Sequence, residues 1–442
     1  MKILSITAGA AGMYCGSCSR DNALAVELLA RGHDVTLLPL YTPTNPDEAN
    51  VSRDQVLFGG ISIYLQQRVP LFRRAPRFVD RLLDSPTVIR SLASRSISTD
   101  PRLLGDLTVS MLEGDRGVLR REFDKLLEWL ADEPLPDVVN LPNSLLIGLA
   151  RPLREALKRP ITCTLQGEDL FLDGLVQPYR EKAIDLIRRQ VDEVDRFLPV
   201  SDYYVQAMSR LLRIAAERMT VVPLGINLSG YDARDPAAVV PFRVGYFARI
   251  APEKGLDVLA QAYRLFRRRV SGAPIRLEAA GYLSPAHAPY LEEVRSELQK
   301  ARLDGEFTYH GAVDRGGKLA FLRSLNLLSV PATYDEPKGV FLLEAMASGV
   351  PVVQPRRGAF TEIVEKTGGG LLVAPDDPAA LADGLYALYS NHALARTLGD
   401  RGFRGVRAHY SVQRSADRLL EVYDTLVSRP AGAAVDRLAA SR

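Results

Sequence analysis

Short apolar strands alternate with helical segments along almost the whole chain, and this alternation limits the fold more than any other feature. The first block opens with the apolar run KILSIT at 2–7, a Gly-rich loop at 9–16, a helix and a second strand at 34–40. After a polar, Pro-containing stretch at 229–241, the alternation restarts with a strand at 243–248. Such a strand–helix–strand order predicts parallel, doubly wound α/β sheets. We therefore expect two Rossmann-like domains facing a central cleft.

The length of the chain supports two domains as well. At 442 residues it is too long for one ordinary core. We place an N-terminal domain at 1–228, a linker at 229–241 and a C-terminal domain at 242–410. An amphipathic helix is predicted at 412–427, and the Ala-, Arg- and Ser-rich tail at 428–442 is expected to be flexible.

Composition excludes several classes of protein. Apolar residues make up 47% and charged residues 25% of the chain, as in soluble globular proteins. A net charge of +3 gives no argument for a nucleic-acid partner, and none is expected. Three cysteines cannot form a disulfide framework, and no apolar run is long enough to span a bilayer. We expect a cytoplasmic protein, either soluble or peripheral to the inner face of the membrane.

The stretch TYDEPKGVFLLEAMASGVPVV at 333–353 combines acidic residues with a helix start. Glu336 lies in a loop, Gly339 allows entry into a helix at 340–348, and a buried strand is predicted at 350–353. Glu344 follows Glu336 by eight residues, just inside this helix. A helix N-terminus attracts phosphate, and carboxylates suit sugar hydroxyls. The pattern indicates a nucleotide-sugar site; the alternative is a helix whose first turn is merely acidic.

Two further groups of polar residues follow predicted strands. FARIAPEKG places Arg249 and Lys254 around the first loop of the second block, where two cations would neutralise a diphosphate. Gln166, Glu168 and Asp169 follow a strand of the first block, at the edge where ligands of open α/β sheets collect. Glu168 and Asp169 are candidates for contacting an acceptor, with helix capping as the alternative.

These motifs strongly resemble those of the retaining glycosyltransferases of family 4, which have the GT-B fold. ARIAPEKG and EPKGVFLLEAMASGVPVV carry the resemblance, and RGHDVTLL, PVSDYY and VPLGIN are weaker matches. The resemblance implies transfer of a hexosyl group from a nucleoside-diphosphate sugar, without a metal or another cofactor. It also implies a saccharide or lipid-linked acceptor on the N-terminal domain, onto which the helix at 412–427 crosses back.

The resemblance assigns roles to individual residues. Arg249, Lys254 and Glu336 match the catalytic positions: the two cations stabilise the leaving diphosphate, and Glu336 faces the donor sugar. Glu344 matches the carboxylate that contacts the ribose. The positions that match donor-binding residues are Gly16, Gln166, Arg249, Lys254, Ala312, Val313, Lys338, Gly339, Val340 and Glu344.

The chain departs from the family pattern at several of these positions. Gln166 stands where the family has a histidine; it keeps hydrogen bonding but cannot carry a charge, so an inactive protein is an alternative. Lys338 replaces an aromatic residue, and either reads an anionic group on the substrate or points to solvent. Arg356 and Arg357 either face an anionic acceptor or belong to a solvated turn.

Other interpretations of the sequence remain open. A catalytically silent nucleotide- or sugar-binding protein, or another GT-B enzyme such as a phosphorylase or epimerase, would share the fold. Cys15 and Cys18 suggest a metal or redox site, although they have no second cysteine pair or nearby histidine. The Arg-rich stretch at 68–95 is either a membrane-binding surface or an ordinary solvated helix face.

Overall fold

The computed structural model shows an α/β protein with two separate sheets. The residues that it describes are 1–9, 16–54, 56, 58, 101–232, 240–270 and 272–428, with 101–103 as backbone only. Several predictions therefore lie outside the described residues: those for most of the Gly-rich loop, for Cys15, for the stretch 68–95, for residues 233–239 of the linker and for the tail after Ser428.

The chain divides into two compact units. The first comprises Met1–Val200, Tyr204–Pro223 and Ser415–Arg442, and the second comprises Ser201–Tyr203 and Leu224–Arg414. The main division thus falls several residues before the stretch that the sequence marked as a linker. The reason is apolar burial, because side chains at 224, 226 and 231 all belong to the hydrophobic core of the second unit.

The first unit contains a five-stranded parallel sheet of order β2-β1-β3-β4-β5. Its strands are β1 Lys2–Thr7, β2 Asp34–Pro39, β3 Val138–Leu141, β4 Ile161–Leu165 and β5 Arg196–Pro199. Its helices are α1 Gly16–Ala30, α2 Pro101–Leu112, α3 Arg120–Asp132, α4 Ala150–Leu157, α5 Asp169–Gly174, α6 Tyr179–Gln190 and α7 Asp202–Leu212, the last from Tyr204 onward. Strands β3 and β4 are buried throughout, as expected for a parallel sheet covered on both faces.

The second unit contains a six-stranded parallel sheet of order β11-β10-β9-β6-β7-β8. Its strands are β6 Phe242–Phe247, β7 Ile275–Ala280, β8 Phe307–Tyr309, β9 Leu327–Leu328, β10 Val352–Pro355 and β11 Gly370–Val373. Its helices are α8 Leu256–Arg269, α9 Ala288–Lys300, α10 Arg315–Arg323, α11 Val340–Ala347, α12 Gly358–Thr367, α13 Pro378–Ser390 and α14 His392–His409. A final helix, α15 (Val412–Val427), belongs to the first unit from Ser415 onward.

The helices form where the sequence repeats apolar residues at helical spacing. In α8, Leu256, Leu259, Tyr263 and Phe266 recur on one face and are buried in the core. Each such side chain contributes roughly 1.5–3 kcal/mol when it is buried. Three arginines end the helix, where their charge favours the negative end of the helix dipole. The prediction of two Rossmann-like domains is confirmed.

One predicted strand is present but starts later than expected, for a local reason. The strand expected at 350–353 begins only at Val352, because the N–H of Val350 donates to the carbonyl of Ala345 and closes α11. Gly349 follows the helix in the left-handed conformation, with φ 73°, and this conformation ends α11. After β5, the stretch at 219–223 adds one bridge, between Phe197 and Met219, instead of a sixth strand, since the proline of β5 has no N–H for the ladder.

The strand order of the second unit fixes where a ligand is expected. β6 is the first strand of this sheet, β7 and β8 continue on one side of it, and β9 to β11 continue on the other. The connections therefore leave β6 and β9 in opposite directions, and their carboxyl ends border a crevice at the edge of the sheet. Ligands of open α/β sheets bind at this switch point. A ligand site is therefore expected at the loops after β6 and β9.

Candidate active site

The loop after β6 carries the two cations that were predicted to hold a diphosphate. It runs from Ala248 into a short turn, Pro252–Lys254, that Gly255 closes with φ 70°. A Cβ atom on Gly255 would lie 2.1 Å from the carbonyl oxygen of Pro331, in the loop after β9. The two loops thus pack backbone against backbone, and this contact fixes the position of Lys254.

Lys254 forms a buried ion pair with Glu336, which lies in the loop after β9. Glu336 is 3% and Lys254 8% exposed. The ammonium of Lys254 donates to Oε2 of Glu336 and, over 2.6 Å, to the hydroxyl of Tyr334. That hydroxyl donates in turn to the same carboxylate oxygen. Because a buried carboxylate is costly unless it is paired and hydrogen-bonded, this arrangement is what allows Glu336 to stay ionised.

The pKa values of this cluster follow from its charges. Burial alone would raise the pKa of Glu336, but the charge and hydrogen bond of Lys254, the hydrogen bond from Tyr334 and the charge of Lys338 together lower it to about 2. Burial, followed by the negative charge of Glu336, raises the pKa of Tyr334 well above its usual value. Near neutral pH, Tyr334 is therefore a donor and Glu336 an acceptor.

The lowered pKa of Glu336 predicts how stability depends on pH. A folded-state pKa of about 2 against the usual 4.5 corresponds to about 3 kcal/mol of stability. This contribution is complete well above pH 4.5 and is lost as the pH falls through the folded-state pKa of about 2. Between pH 7 and pH 3, urea unfolding of Glu336→Gln should therefore lose about 2 kcal/mol less stability than the wild-type chain loses. Equal losses would contradict the ion-pair assignment.

Arg249 lies at the edge of the same loop and is more accessible than Lys254. Its side chain is 46% exposed, and its guanidinium is 3.0 Å from a carboxylate oxygen of Glu253. Its charge also acts on the Tyr334 phenol, where it partly opposes the rise in pKa. The structure therefore brings Arg249 close to the Lys254 cluster, with its guanidinium partly open to solvent.

Helix α11 starts directly after the Glu336 loop. Gly339 precedes it in the left-handed conformation, with φ 65°, and Val340 is its first residue. The N–H of Lys338 donates to Oε1 of Glu336 over 3.3 Å. The side chain of Lys338 is half-buried and its charge acts on Glu336, so it is not a simple solvent-exposed lysine.

Glu344, in the second turn of α11, forms a second buried ion pair. Lys318 donates to its Oε1 over 2.7 Å, and the hydroxyl of Tyr231 donates to the same oxygen over 3.1 Å. Neither Lys318 nor Tyr231 was among the residues predicted from the sequence. Glu344 is 4% exposed, so its charge is held inside the protein rather than at the surface.

The loops after β7 and β8 reach the same edge of the sheet as the loop after β6. The N–H of Gly281, after β7, donates to the carbonyl of Gly311, after β8, over 2.9 Å. A Cβ on Gly281 would lie 1.8 Å from the carbonyl oxygen of Ala248, after β6. Ala312 is exposed and Val313 half-buried, so these two predicted donor-binding residues lie at this edge and are accessible to solvent.

Gln166, in the first unit, is 3% exposed and held by its amide nitrogen. The Nε2 group donates to the carbonyl of Pro142 over 2.8 Å, and the side chain partly opposes the rise that burial causes in the pKa of Asp21. Its Oε1 atom is buried without a hydrogen-bond partner among the described residues. An unsatisfied buried acceptor costs about 1–3 kcal/mol. Gln166 therefore presents an oxygen that a donor group of a ligand would satisfy.

Glu168 and Asp169 are both engaged inside the first unit. Glu168 accepts from the N–H of Ser144 over 3.1 Å and from the N–H of Gln166 over 2.8 Å. Asp169 accepts from the hydroxyl of Tyr204 over 2.7 Å, and its burial raises its pKa. These contacts favour structural roles for both carboxylates, and contact with an acceptor stays a prediction.

Arg357 and Gly16 complete the predicted set. The guanidinium of Arg357 pairs with Asp376 and donates to the carbonyl of Ala332 over 3.3 Å, and its side chain is 15% exposed. It therefore braces the loop after β9 instead of extending freely towards an acceptor. Gly16 is the first residue of α1, and a Cβ there would meet no atom within 4 Å among the described residues.

Two segments of the chain match known protein families. Residues 236–404 match the family model described as Glycosyl transferases group 1, and residues 107–229 match Glycosyltransferase Family 4. The chain contains glycosyltransferase group 1 and family 4 domains. These are the domains of an enzyme class, and the Glu336 and Lys254 loops lie inside the group 1 domain. The glycosyltransferase resemblance read from the motifs is confirmed at this level.

Curated relatives of this glycosyltransferase act on different molecules. A phosphatidyl-myo-inositol mannosyltransferase of Mycobacterium leprae is 26% identical over 69% of this chain and 77% of its own length. A D-inositol 3-phosphate glycosyltransferase of an Arthrobacter species is 31% identical over 59% of this chain and 63% of its own length. A lipopolysaccharide core mannosyltransferase of Rhizobium leguminosarum is 28% identical and is matched over 60% of its length. The chain thus spans somewhat less than two thirds of the last two relatives.

Solved structures support the fold. Sucrose-phosphate synthase of Thermosynechococcus elongatus matches with a TM-score of 0.71 and 18% identity, covering 96% of this chain and 99% of that one. HepE of Anabaena, solved in complex with UDP and glucose, matches with a TM-score of 0.66 and 16% identity over 96% of this chain and all of that one. The predicted GT-B fold is therefore confirmed.

The described residues show neither a membrane-spanning helix nor a cluster of metal-binding side chains. None of the described helices is long and apolar enough to cross a bilayer. Within the same residues, no group of three or more His, Cys, Asp or Glu side chains is placed to hold a metal ion. Metal independence and the cellular location stay predictions.

Proposed function

We propose that this glycosyltransferase moves a hexosyl group from a nucleoside-diphosphate sugar to an acceptor hydroxyl, with retention at the anomeric carbon and without a metal. The observation that carries the proposal is the buried Lys254–Glu336 pair at the switch point of the second sheet. Arg249 lies in the same loop and α11 begins beside it. A carboxylate for the sugar, cations for the diphosphate and a helix N-terminus thus occur together.

Lys254 and Arg249 are the cations that stabilise the leaving diphosphate. An ammonium has three N–H donors, and the described partners of Lys254 use two of them, on Glu336 and Tyr334. The third is left for an oxygen of the diphosphate. As the bond from the anomeric carbon to the diphosphate breaks, negative charge grows on that oxygen. Fixed cations stabilise this charge more in the transition state than in the bound substrate, which accelerates the reaction.

Glu336 takes the role of a sugar-binding acceptor. With Lys254 and Tyr334 both on Oε2, Oε1 of Glu336 has only the long, 3.3 Å bond from the Lys338 N–H among the described residues. A hydroxyl of the donor sugar can compete for this oxygen. Within the first unit, Oε1 of Gln166 has no partner among the described residues and can accept a hydrogen bond from a hydroxyl group. Gln166 is therefore consistent with an active enzyme.

The acceptor is proposed at the level of its class. Relatives are named for inositol-containing and lipopolysaccharide-core acceptors. We infer a saccharide or lipid-linked acceptor, and with it a cytoplasmic enzyme that works at or near the inner face of a membrane. No cofactor is needed beyond the nucleotide sugar, since side-chain cations supply the positive charge.

A transfer and hydrolysis assay tests the proposal. UDP-, GDP- and ADP-linked hexoses are incubated with the full chain, released sugar is quantified by mass spectrometry, and its first-formed anomer is read by NMR. We expect slow hydrolysis of one donor with retention, and about a hundredfold lower rate for Glu336→Gln. Inversion would contradict the mechanism, and nucleotide binding without turnover would indicate a silent binding protein.

Glu306 provides the matched control for this assay. Its carboxylate also contacts a tyrosine, Tyr263 over 2.7 Å, and a cation, Arg267 over 2.9 Å. It lies just before β8, at the opposite edge of the sheet from the Lys254 loop. Glu306→Gln should therefore keep the wild-type rate of donor hydrolysis. An equal loss in Glu306→Gln and Glu336→Gln would show that the assay reports only damage to the fold.

A further inference from the structure

Glu344 is anchored through one of its two carboxylate oxygens. Lys318 and Tyr231 both donate to Oε1, over 2.7 and 3.1 Å. Among the described residues, Oε2 accepts no hydrogen bond. The side chains of Lys318 and Glu344 are 5% and 6% exposed, so the contact is a buried ion pair. The carboxylate is thus held firmly on one side and offers its other oxygen.

The same arrangement occurs eight residues earlier in the chain. On Glu336, Lys254 and Tyr334 also share one carboxylate oxygen. Each of the two glutamates therefore has one lysine and one tyrosine on a single oxygen. This repetition indicates a shared purpose: a carboxylate that is fixed through one oxygen while the other oxygen remains for a ligand.

Three elements meet at Oε1 of Glu344. Lys318 comes from α10 and Glu344 from α11, while Tyr231 comes from the segment before β6. Tyr231 is itself fixed, because its carbonyl accepts from Arg407 over 2.5 Å and the guanidinium of Arg315 lies 5.7 Å from its ring centroid. Glu344 therefore has little freedom to turn.

Stability is a poor explanation for such a pair. Removing two charges from water costs several kcal/mol per ion, and their attraction in the interior roughly offsets this cost. An apolar pair of similar size would hold α10 against α11 at least as well. What the ion pair supplies instead is a fixed charge and a fixed direction for the carboxylate.

We propose that Lys318 is a positioning residue for nucleotide recognition: together with Tyr231 it holds Glu344 so that Oε2 accepts hydrogen bonds from the vicinal hydroxyls of the donor's ribose. This inference rests on the proposed function and adds the residue that makes the ribose contact specific. A charged acceptor with fixed direction discriminates a diol from its deoxy analogue, because hydrogen bonds to charged groups are stronger than neutral ones.

The expected effect is a loss of ribose discrimination rather than a general loss of binding. Lys318→Met removes the cation and donor that hold Oε1 of the buried Glu344, so the direction of the carboxylate is no longer fixed and its hold on the diol weakens. Affinity for the ribonucleotide should fall about tenfold or more. Affinity for the 2′,3′-dideoxy analogue should change less than about twofold, since that analogue has no hydroxyl to lose.

Calorimetric titration of the full chain tests this. The probes are UDP, GDP and ADP and their 2′,3′-dideoxy counterparts, and the variants are Lys318→Met, Lys318→Arg and Tyr231→Phe. Lys300→Met is the matched control, because Lys300 also pairs with a glutamate but has a 69% exposed side chain. We expect the ribose preference of the wild type in the control, a partial loss of preference in Lys318→Arg and Tyr231→Phe, and almost no preference in Lys318→Met.

Different failures have different meanings. If Lys318→Met keeps the wild-type ribose preference, or loses affinity for both forms in parallel, Lys318 is not a positioning residue. A wild-type chain that binds both forms equally would also overturn the inference. If Lys318→Met does not fold, Lys318→Arg and Tyr231→Phe decide by the same ratio. A wild-type chain that binds none of the nucleotides overturns the proposed function itself, and the inference with it.

Discussion

Replacing Lys254 with methionine is expected to lower kcat about a thousandfold, the largest effect of any single change in the site. The substitution removes the donor that is left for the diphosphate and also the cation that keeps Glu336 ionised. Both losses act where charge develops, so kcat should fall far more than the affinity for the donor. Steady-state hydrolysis and transfer rates measure the effect.

Stability has to be separated from catalysis in this experiment. Lys254→Met leaves Glu336 buried without its cation, which costs about 3–5 kcal/mol. The double variant Lys254→Met, Glu336→Gln removes the uncompensated charge, so it should regain much of that stability but none of the activity. Lys300→Met, in an exposed pair with Glu297, should match the wild type in both respects. A Lys254→Met chain within tenfold of the wild-type kcat would contradict the proposed role.

Gly255→Ala is expected to destabilise the protein strongly. The alanine Cβ would lie 2.1 Å from the carbonyl oxygen of Pro331, and φ 70° is unfavourable for a residue with a Cβ. Because the obstacle is backbone, the two loops must separate, at a cost of about 3 kcal/mol or more. Urea unfolding measures this cost, and donor hydrolysis should fall as Lys254 moves away from Glu336.

Gly272 offers the control that isolates this contact. Its φ is 78°, close to that of Gly255, but a Cβ there would meet no atom within 4 Å among the described residues. Gly272→Ala should therefore cost only the backbone strain, about 1 kcal/mol, and leave donor hydrolysis unchanged. Equal costs for the two substitutions would mean that the close approach of the loops after β6 and β9 is not a constraint.

The fold and the second-unit motifs could be predicted from the sequence because their signals are local. Strand–helix alternation follows from the spacing of apolar residues, and it defines both sheets. The loop of Arg249 and Lys254 and the loop of Glu336 each follow a strand directly. In a parallel sheet, this places them at the same edge, so their proximity follows from the topology.

The anchoring residues could not be found in this way. Lys318 lies 26 residues before Glu344, and Tyr231 lies 113 residues before it. Lys318 looks like an ordinary surface residue of an amphipathic helix, yet it is 4% exposed in the structure. Tyr231 was even assigned to a linker, because its neighbours are polar. Asp21, whose carboxyl interacts with Gln166, lies within α1, and nothing in the sequence around it indicates this contact.

Residue-level patterns also failed where the backbone decides the outcome. Val350 has strong strand propensity, but its N–H closes α11 after the left-handed Gly349. The sequence pattern around Glu168 also gave no sign that this carboxylate accepts two backbone N–H groups, and its contact with an acceptor stays a prediction. In both cases a main-chain hydrogen bond, which the side-chain pattern does not reveal, determines the structure.

Calorimetric titration of the wild-type full chain with UDP, GDP and ADP tests the central claim most directly. We expect one of the three to bind at one site per chain, and we expect Lys254→Met, unlike Lys300→Met, to weaken this binding. The binding should also weaken as the salt concentration rises, because Arg249 is partly exposed to solvent. No binding of any nucleoside diphosphate, or equal binding to Lys254→Met, would contradict the assignment of this site.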